Sequence, residues 1–416
     1  MKILKLTKNV ERSLLRSRKQ RDAEAHRVAA RIIADVRKRG DAALHDWTKK
    51  FDGIDLREGM WVSAREIDKA GKSVSNDLPR AIQHAARNIG IVAEKQLPRA
   101  WSVQVEPGVR IAQVVRPIDA IGCYLPGGRF SLLSTLLMTV IPAMVAGVKH
   151  IVVASPKPNA ELLAAASIVG VSRIARFGGA QAIAALAYGT RSLAPVDKIF
   201  GPGNRFVTAA KQLVSGDCAI DLPAGPTEAI VLANTGNPQW IAADLLAQAE
   251  HAPDAGSFLV TTSRDLALRT QMEIRKQLKL LPATNPAHIS VRRSGAILLA
   301  RSMDEACEFV NRFAPEHLSL PGSSQNLLNK VTAAGTVFLG PWSAQPFGDY
   351  AAGSNHVLPT GGWARTRAGL STCDFVKCIT TQTITRRGFE RLADDVQSLA
   401  HAEGLLAHGH AVEVRR

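Results

Sequence analysis

The chain has little of what would place it outside the cell or across a membrane. Its five cysteines (Cys123, Cys218, Cys307, Cys373 and Cys378) are odd in number and form no CxxC pair. That excludes a disulfide framework and a cysteine-rich zinc site, and fits reduced thiols in the cytoplasm. The N-terminus, MKILKLTKNVERSLL, lacks the sustained apolar core of a secretory signal. The longest apolar stretch, Leu132 to Val148, is interrupted by Ser134, Thr135, Thr139 and Pro142. It is short for a membrane span and predicts a buried helix instead. No GxGxxG occurs, so the ordinary dinucleotide fingerprint is missing. Aromatics make up only 5% of residues while alanine is abundant, which favours helices packed on sheets over an all-β fold. The expectation is a soluble, cytoplasmic protein with no membrane partner.

What is present in excess is positive charge, a formal +16. The Lys and Arg residues run along the whole chain, and the densest stretch, Arg12 to Arg21, borders Asp22 and Glu24. A nucleic-acid reader concentrates such charge on one face, with aromatics nearby to stack on bases. The spread seen here supports only non-specific attraction, so no specific nucleic-acid partner is expected.

At 416 residues the chain is long enough for two or more domains. Residues 1–105 read mainly as amphipathic helices, with Val28, Ile32, Ile33 and Val36 at helical spacing and Gly40 as punctuation. From about Val109 short β-rich runs alternate with alanine-rich helices: IAQVVRP, AIGCYLPGG, KHIVVASP, SRIARFGG and KIFGPG each lead into one. EAIVLAN, a helix from Ile241 to His251 and GSFLVTTS form a second βα segment, and the last forty or so residues read as helical and polar. That rhythm predicts a parallel-rich sheet flanked by helices, with ligands at the C-terminal ends of its strands. Three Gly-rich turns fall at such ends: Pro126-Gly127-Gly128, Gly178-Gly179 and Gly201-Pro202-Gly203-Asn204.

Four places carry groups suited to chemistry. Gln248 and His251 stand three apart in ADLLAQAEH, on one helical face, and could reach one metal ion or substrate; a helix-end cap is the plainer use of such a histidine. In Ala314-Pro315-Glu316-His317, proline fixes a turn that presents a carboxylate and an imidazole from a rigid corner, either for acid/base work or as an ordinary surface turn. GPWSAQPFGDYAAGSNHVLPTGG reads as a Gly-rich, mostly irregular loop holding Asp349 and His356, and loops of that length are commonly functional. His401, His408 and His410 cluster with Glu403 near the C-terminus, and spacing alone does not choose among them.

Taken together these segments resemble the histidinol dehydrogenase family. The resemblance runs through VRKRGDAALHDWTKKFDG, CYLPGG, IPAMVAGV, FGGAQAIAALAYGT, VDKIFGPGNRFVTAAK, DLPAGPTEAIVLA, ADLLAQAEH, FAPEHL, GDYAAGSNHVLPTGG and EGLLAH. It implies an α/β fold of two incomplete Rossmann-like domains with parallel-rich sheets, plus small terminal segments that dock across a homodimer with shared active sites. The implied division is an N-terminal segment over 1–20, a discontinuous α/β domain over 21–122 and 227–370 that carries the metal and catalytic residues, an NAD-side domain over 123–226, and a helical C-terminal segment over 371–416. The implied activity is the zinc-dependent, NAD-linked oxidation of L-histidinol through L-histidinal to L-histidine, the last step of histidine biosynthesis. The resemblance assigns one zinc per subunit to Gln248, His251, Asp349 and His408, the last from the partner subunit. It makes His317 and Glu316 the catalysts, puts Thr227, His356 and Glu403 with the metal ligands and His317 on the substrate, and puts Tyr124, Gln181 and Asn204 on NAD. The chain departs from the family at Arg129-Phe130-Ser131 after PGG, at Thr227 where Ser is frequent, and at Trp363. Dehydrogenases of other small alcohols, such as sulfopropanediol, often carry Arg after PGG and stand as the alternative.

Overall fold

The computed structural model of the protein describes residues 1–18, 22–127, 132–223, 225–322 and 325–416. Arg129-Phe130-Ser131 and Gly128 therefore lie outside the described residues.

Two parallel sheets form the frame. The first runs Ile174–Ala175, His150–Ala154, Ala120–Tyr124, Lys198–Phe200, Ala219–Ile220 across its width. The second runs Lys2–Lys5, Ala296–Leu299, Gly256–Thr261, Glu228–Leu232, His317–Leu320, Thr336–Leu339, again all parallel. In the first, the chain starts in the middle, fills one side, then crosses to the other; the second does the same from Glu228–Leu232, with Lys2–Lys5 added at one edge, so each has an internal topological switch point. The switch lies between Ala120–Tyr124 and Lys198–Phe200 in the first sheet, and between Glu228–Leu232 and His317–Leu320 in the second. The α/β, parallel-rich architecture expected from the sequence is what the structure has.

The central strands are buried, mainly apolar runs: Glu228–Leu232 and Gly256–Thr261 are buried along their whole length. Helices on both faces make such runs necessary. Leu133–Ala146 is the helix expected from the long apolar stretch; Leu136, Leu137, Met138 and Val140 are all within 1% of full burial. Among the described residues no helix is long and apolar enough to cross a membrane.

Several expectations change. The N-terminal segment does not begin as a helix: Lys2–Lys5 pairs with Ala296–Leu299 and so docks on its own chain's second sheet. Helix Ala23–Arg39 buries Ile32, Ile33 and Val36 as its spacing predicts, but against Val207, Ala180 and Ile183 of the middle block. Ile82 and Ile89, on helix Asp77–Gln96, share a core with Leu136, Val140 and Leu162. The helices of residues 23–96 thus share cores with the 123–226 block, and the second of these cores also takes in Val357 and Leu370. IAQVVRP does not enter a parallel sheet. Val109–Pro117 turns back on Trp101–Glu106 through Pro107-Gly108, with Gly108 at φ 90°, and pairs antiparallel on its other side with Val376–Ile384. The C-terminal segment consequently has a short 3-10 turn, Thr372–Phe375, and a nine-residue strand before its two helices, Arg386–Ala402 and Leu406–Glu413.

Candidate active site

Glu316-His317 stands where helix Met303–Phe313 gives way to strand His317–Leu320. Ala314 ends the helix at φ 50°, the one left-handed non-glycine among the described residues. An alanine there is strained by roughly 1 kcal/mol or more, and Pro315 then bars any return to helix. The turn expected from the sequence is real, but it is not on the surface: Glu316 is 7% and His317 4% exposed.

A chain of hydrogen bonds holds Glu316. Gln345 Nε2 donates to Gln248 Oε1 (2.7 Å), Gln248 Nε2 donates to Thr227 Oγ1 (2.8 Å), and the Thr227 hydroxyl donates to Glu316 Oε2. The backbone N–H of Glu228 reaches the same carboxylate oxygen (3.0 Å). Every donor is matched to an acceptor along this run, so the buried network is satisfied and directional. Burial raises the Glu316 pKa against the pull of His317 and Thr227.

His317 differs from its neighbour in making no side-chain hydrogen bond among the described residues. Nδ1 lies 3.8 Å from Glu316 Oε2 and Nε2 lies 3.7 Å from Asp349 Oδ1, and neither buried nitrogen has a hydrogen-bond partner among the described residues. Burial opposes an imidazolium here, but Glu316 and Asp349 outweigh it and raise the His317 pKa. Burial likewise opposes ionisation of Asp349, and the surrounding His317, His356 and His251 outweigh that and keep its pKa low. An unpartnered imidazole between two carboxylates is a base poised for a proton from elsewhere.

Asp349 comes from a short helix, Gln345–Tyr350, inside the stretch read as irregular. His356 follows in a segment without regular structure. Its Nδ1 donates to the Asp349 carbonyl (2.8 Å) and its Nε2 sits 3.3 Å from Thr135 Oγ1. Since a carbonyl only accepts, Nδ1 carries the proton and burial keeps the ring neutral. Asn355 Nδ2 donates to the Met138 carbonyl (2.7 Å), so this segment straps the second sheet's site to helix Leu133–Ala146 of the first sheet. His251 lies two residues beyond helix Pro238–Ala249, exposed, and close enough to act electrostatically on Glu316, Asp349 and His356.

The other expected residues divide. Tyr124, Gln181 and Asn204 all stand at C-terminal ends of the first sheet's strands or in the helices that follow. Tyr124 is buried and its hydroxyl accepts from Gly179 N–H (3.2 Å); burial pushes its pKa up to about 12. Gln181 is buried too, donating to Asp52 (3.1 Å) with its Oε1 unpartnered. Asn204 is exposed and caps helix Arg205–Val214. Glu403 and His408 are not brought to this site within one chain; they sit exposed on the C-terminal arm. Among the described residues no three His, Cys, Asp or Glu side chains converge as a metal cluster. Sequence reasoning missed Gln345, which lay inside the loop already singled out, and Thr135, for which no sequence signal exists.

One feature of the placement runs against expectation. Thr227, Glu228, Glu316 and His317 lie at the N-terminal ends of the second sheet's two switch strands, not at the C-terminal ends. The chemistry-bearing edge of the second sheet is joined through His356 and Asn355 to the first sheet's C-terminal side.

A family model described as histidinol dehydrogenase matches residues 15–416. The chain is 48% identical over 395 residues to a histidinol dehydrogenase of Methanothermobacter thermautotrophicus, covering 93% of this chain and 92% of that protein. It is 44% identical over 411 residues to that of Geobacillus kaustophilus, covering 97% and 96%. The crystal structure of histidinol dehydrogenase from Elizabethkingia anophelis superposes with a TM-score of 0.94 at 39% identity, covering 100% of this chain and 98% of that one. These similarities do not favour the sulfonate-diol alternative; the chain belongs to the histidinol dehydrogenase family of oxidoreductases.

Proposed function

We propose that the protein oxidises L-histidinol through L-histidinal to L-histidine, with two hydride transfers to NAD and one water consumed. The observation that supports this most is the buried run Gln345–Gln248–Thr227–Glu316 beside the unpartnered His317 imidazole. His317 takes the hydroxyl proton as the first hydride leaves, and its raised pKa makes it the stronger base. Glu316 takes a proton from the water that adds to the aldehyde carbon, and burial strengthens it in the same sense. The hydrate so formed gives up the second hydride and becomes the acid.

Gln248, His251 and Asp349 fit a zinc ion by donor type. Gln248 Oε1 has a second lone pair beyond its bond from Gln345, Asp349 is held ionised, and His251 carries a free imidazole on the open side. When bound, zinc would grip the imidazole and amine nitrogens of the substrate and so orient it. We assign the fourth ligand to His408 of the partner subunit, and the substrate's ammonium contact to the partner subunit's Glu403. A homodimer accounts for an arm that its own chain leaves bare: helix Leu406–Glu413 has no buried residue, and Leu399 and Leu406 are 66% and 75% exposed. NAD is assigned to the first sheet's switch point, between the strand ending at Tyr124 and the turn ending at Asn204, since open α/β sheets hold ligands there. Five free cysteines, two of them exposed, suit the reducing cytoplasm.

The test is a steady-state assay of the purified homodimer with NAD. L-Histidinol should yield NADH, a chelator should abolish the signal, and added zinc should restore it. Turnover of a sulfonated diol with none of histidinol would contradict the reading.

A further inference from the structure

Lys211 and Asp221 are the most deeply buried ion pair among the described residues, 1% and 0% exposed at their side chains, and no catalytic step uses them. Their hydrogen bonds converge on one residue, Gly201, and hold the peptide groups on either side of it. Asp221 Oδ2 accepts from Gly201 N–H (2.7 Å), and Lys211 Nζ donates to the Gly201 carbonyl (2.9 Å) as well as to Asp221. Gly201 opens the Gly201-Pro202-Gly203-Asn204 turn at φ 112°, and a Cβ there would stand 2.1 Å from the Tyr124 carbonyl oxygen. Two turn residues on, a Cβ on Gly203 would stand 3.3 Å from Tyr124 Cε1. The pair therefore grips the turn from both sides and sets it against Tyr124, with Asn204 at its far end.

A buried ion pair is a poor choice for stability alone, because apolar residues of similar volume are commonly as good or better. What it does supply is a fixed, two-point hold on a backbone that must approach another backbone closely. We propose that Lys211 and Asp221 are positioning residues for the nicotinamide dinucleotide, acting through the Gly201–Asn204 turn; this rests on the assignment of NAD to that end of the first sheet.

The experiment uses the zinc-loaded homodimer carrying Lys211→Met and Asp221→Leu together, which removes both charges at once and leaves neither unpaired. NAD and histidinol affinities are measured by titration, alongside the melting temperature. The expected result is a folded enzyme with roughly tenfold or more weaker NAD binding and histidinol affinity unchanged. A folded double variant with normal NAD affinity overturns the proposal, since the pair would then be structural only. If the double variant does not accumulate, the isosteric Asp221→Asn is read in the same way: weaker NAD binding supports the proposal and unchanged binding overturns it. Asn204→Ala separates the two layers. If it too leaves NAD binding untouched, the NAD assignment itself fails and the proposal falls with it; if it alone weakens binding, only the positioning role is lost.

Discussion

Replacing Thr227 with valine removes one hydroxyl and almost no volume, and it cuts the hydrogen-bond run at its centre. In the structure that hydroxyl accepts from Gln248 at 2.8 Å and donates to Glu316 Oε2. Glu316 would keep the Glu228 N–H at 3.0 Å but lose its only side-chain donor among the described residues. A hydrogen bond to a charged group contributes about 1.5–3 kcal/mol, which corresponds to roughly a 10- to 150-fold change in rate if the lost bond acts at the transition state. Because the bond is made to Glu316, the loss should fall on the aldehyde-to-acid half. Stopped-flow formation of NADH from L-histidinal reads that half alone, and the first turnover from L-histidinol reads the other. Thr227→Ser keeps the hydroxyl and should stay close to the parent enzyme. The reasoning is refuted if Thr227→Val, folded and with normal zinc content, oxidises the aldehyde at the parent rate or slows both halves equally.

Glu316→Gln preserves shape and should depress aldehyde oxidation by roughly 10²- to 10⁴-fold, leaving histidinal to accumulate in a quenched-flow product assay. His317→Ala should instead slow the first hydride transfer by a similar factor, seen in single-turnover NADH formation. Asp244, partly buried at the other end of the second sheet with no ion-pair partner among the described residues, has its pKa raised by burial from 3.8 to about 6. Its ionised form is therefore disfavoured in the folded state: the penalty is absent below the unfolded value, grows from about pH 4 to 6, and is at most about 3 kcal/mol above that. Asp244→Asn should raise the melting temperature at pH 8 and leave it unchanged at pH 3.5, with activity unaltered at both. Mixing inactive Glu316→Gln and His408→Ala subunits should restore activity in the mixed dimers, because one of the two sites then draws both residues from intact chains; no recovery after subunit exchange would refute the shared site.

Much of this was legible in the sequence because the groups concerned announce themselves. Gln248, His251, Glu316, His317, Asp349 and His356 sit in helix ends, proline turns and a glycine-rich stretch, where side chains are chosen for something other than packing. The βα rhythm gave both sheets, since fully buried parallel strands must be apolar along their length. What stayed hidden depends on long-range pairing. Lys2–Lys5 is four residues of unremarkable texture that become a strand only because Ala296–Leu299 offers an edge. Val109–Pro117 looks like any β-run, and its antiparallel partner Val376–Ile384 lies more than 250 residues away. Lys211 looks like a solvated helix residue until Asp221 is folded against it. That the candidate groups Thr227, Glu316 and His317 occupy the N-terminal ends of the second sheet's strands could not be foreseen, because the usual rule for open sheets points to the other end. Glu403 and His408 stay exposed within one chain, so the fold of a single chain assigns them no site.

The central claim is that one pocket performs two oxidations on one substrate, with His317 and Glu316 dividing the proton work. It is tested most directly by counting NADH per L-histidinol consumed to completion under excess NAD. The account predicts two for the parent enzyme and one, with histidinal trapped by a carbonyl reagent, for Glu316→Gln. One NADH per histidinol from the parent enzyme, or two from Glu316→Gln at an undiminished rate, would contradict it.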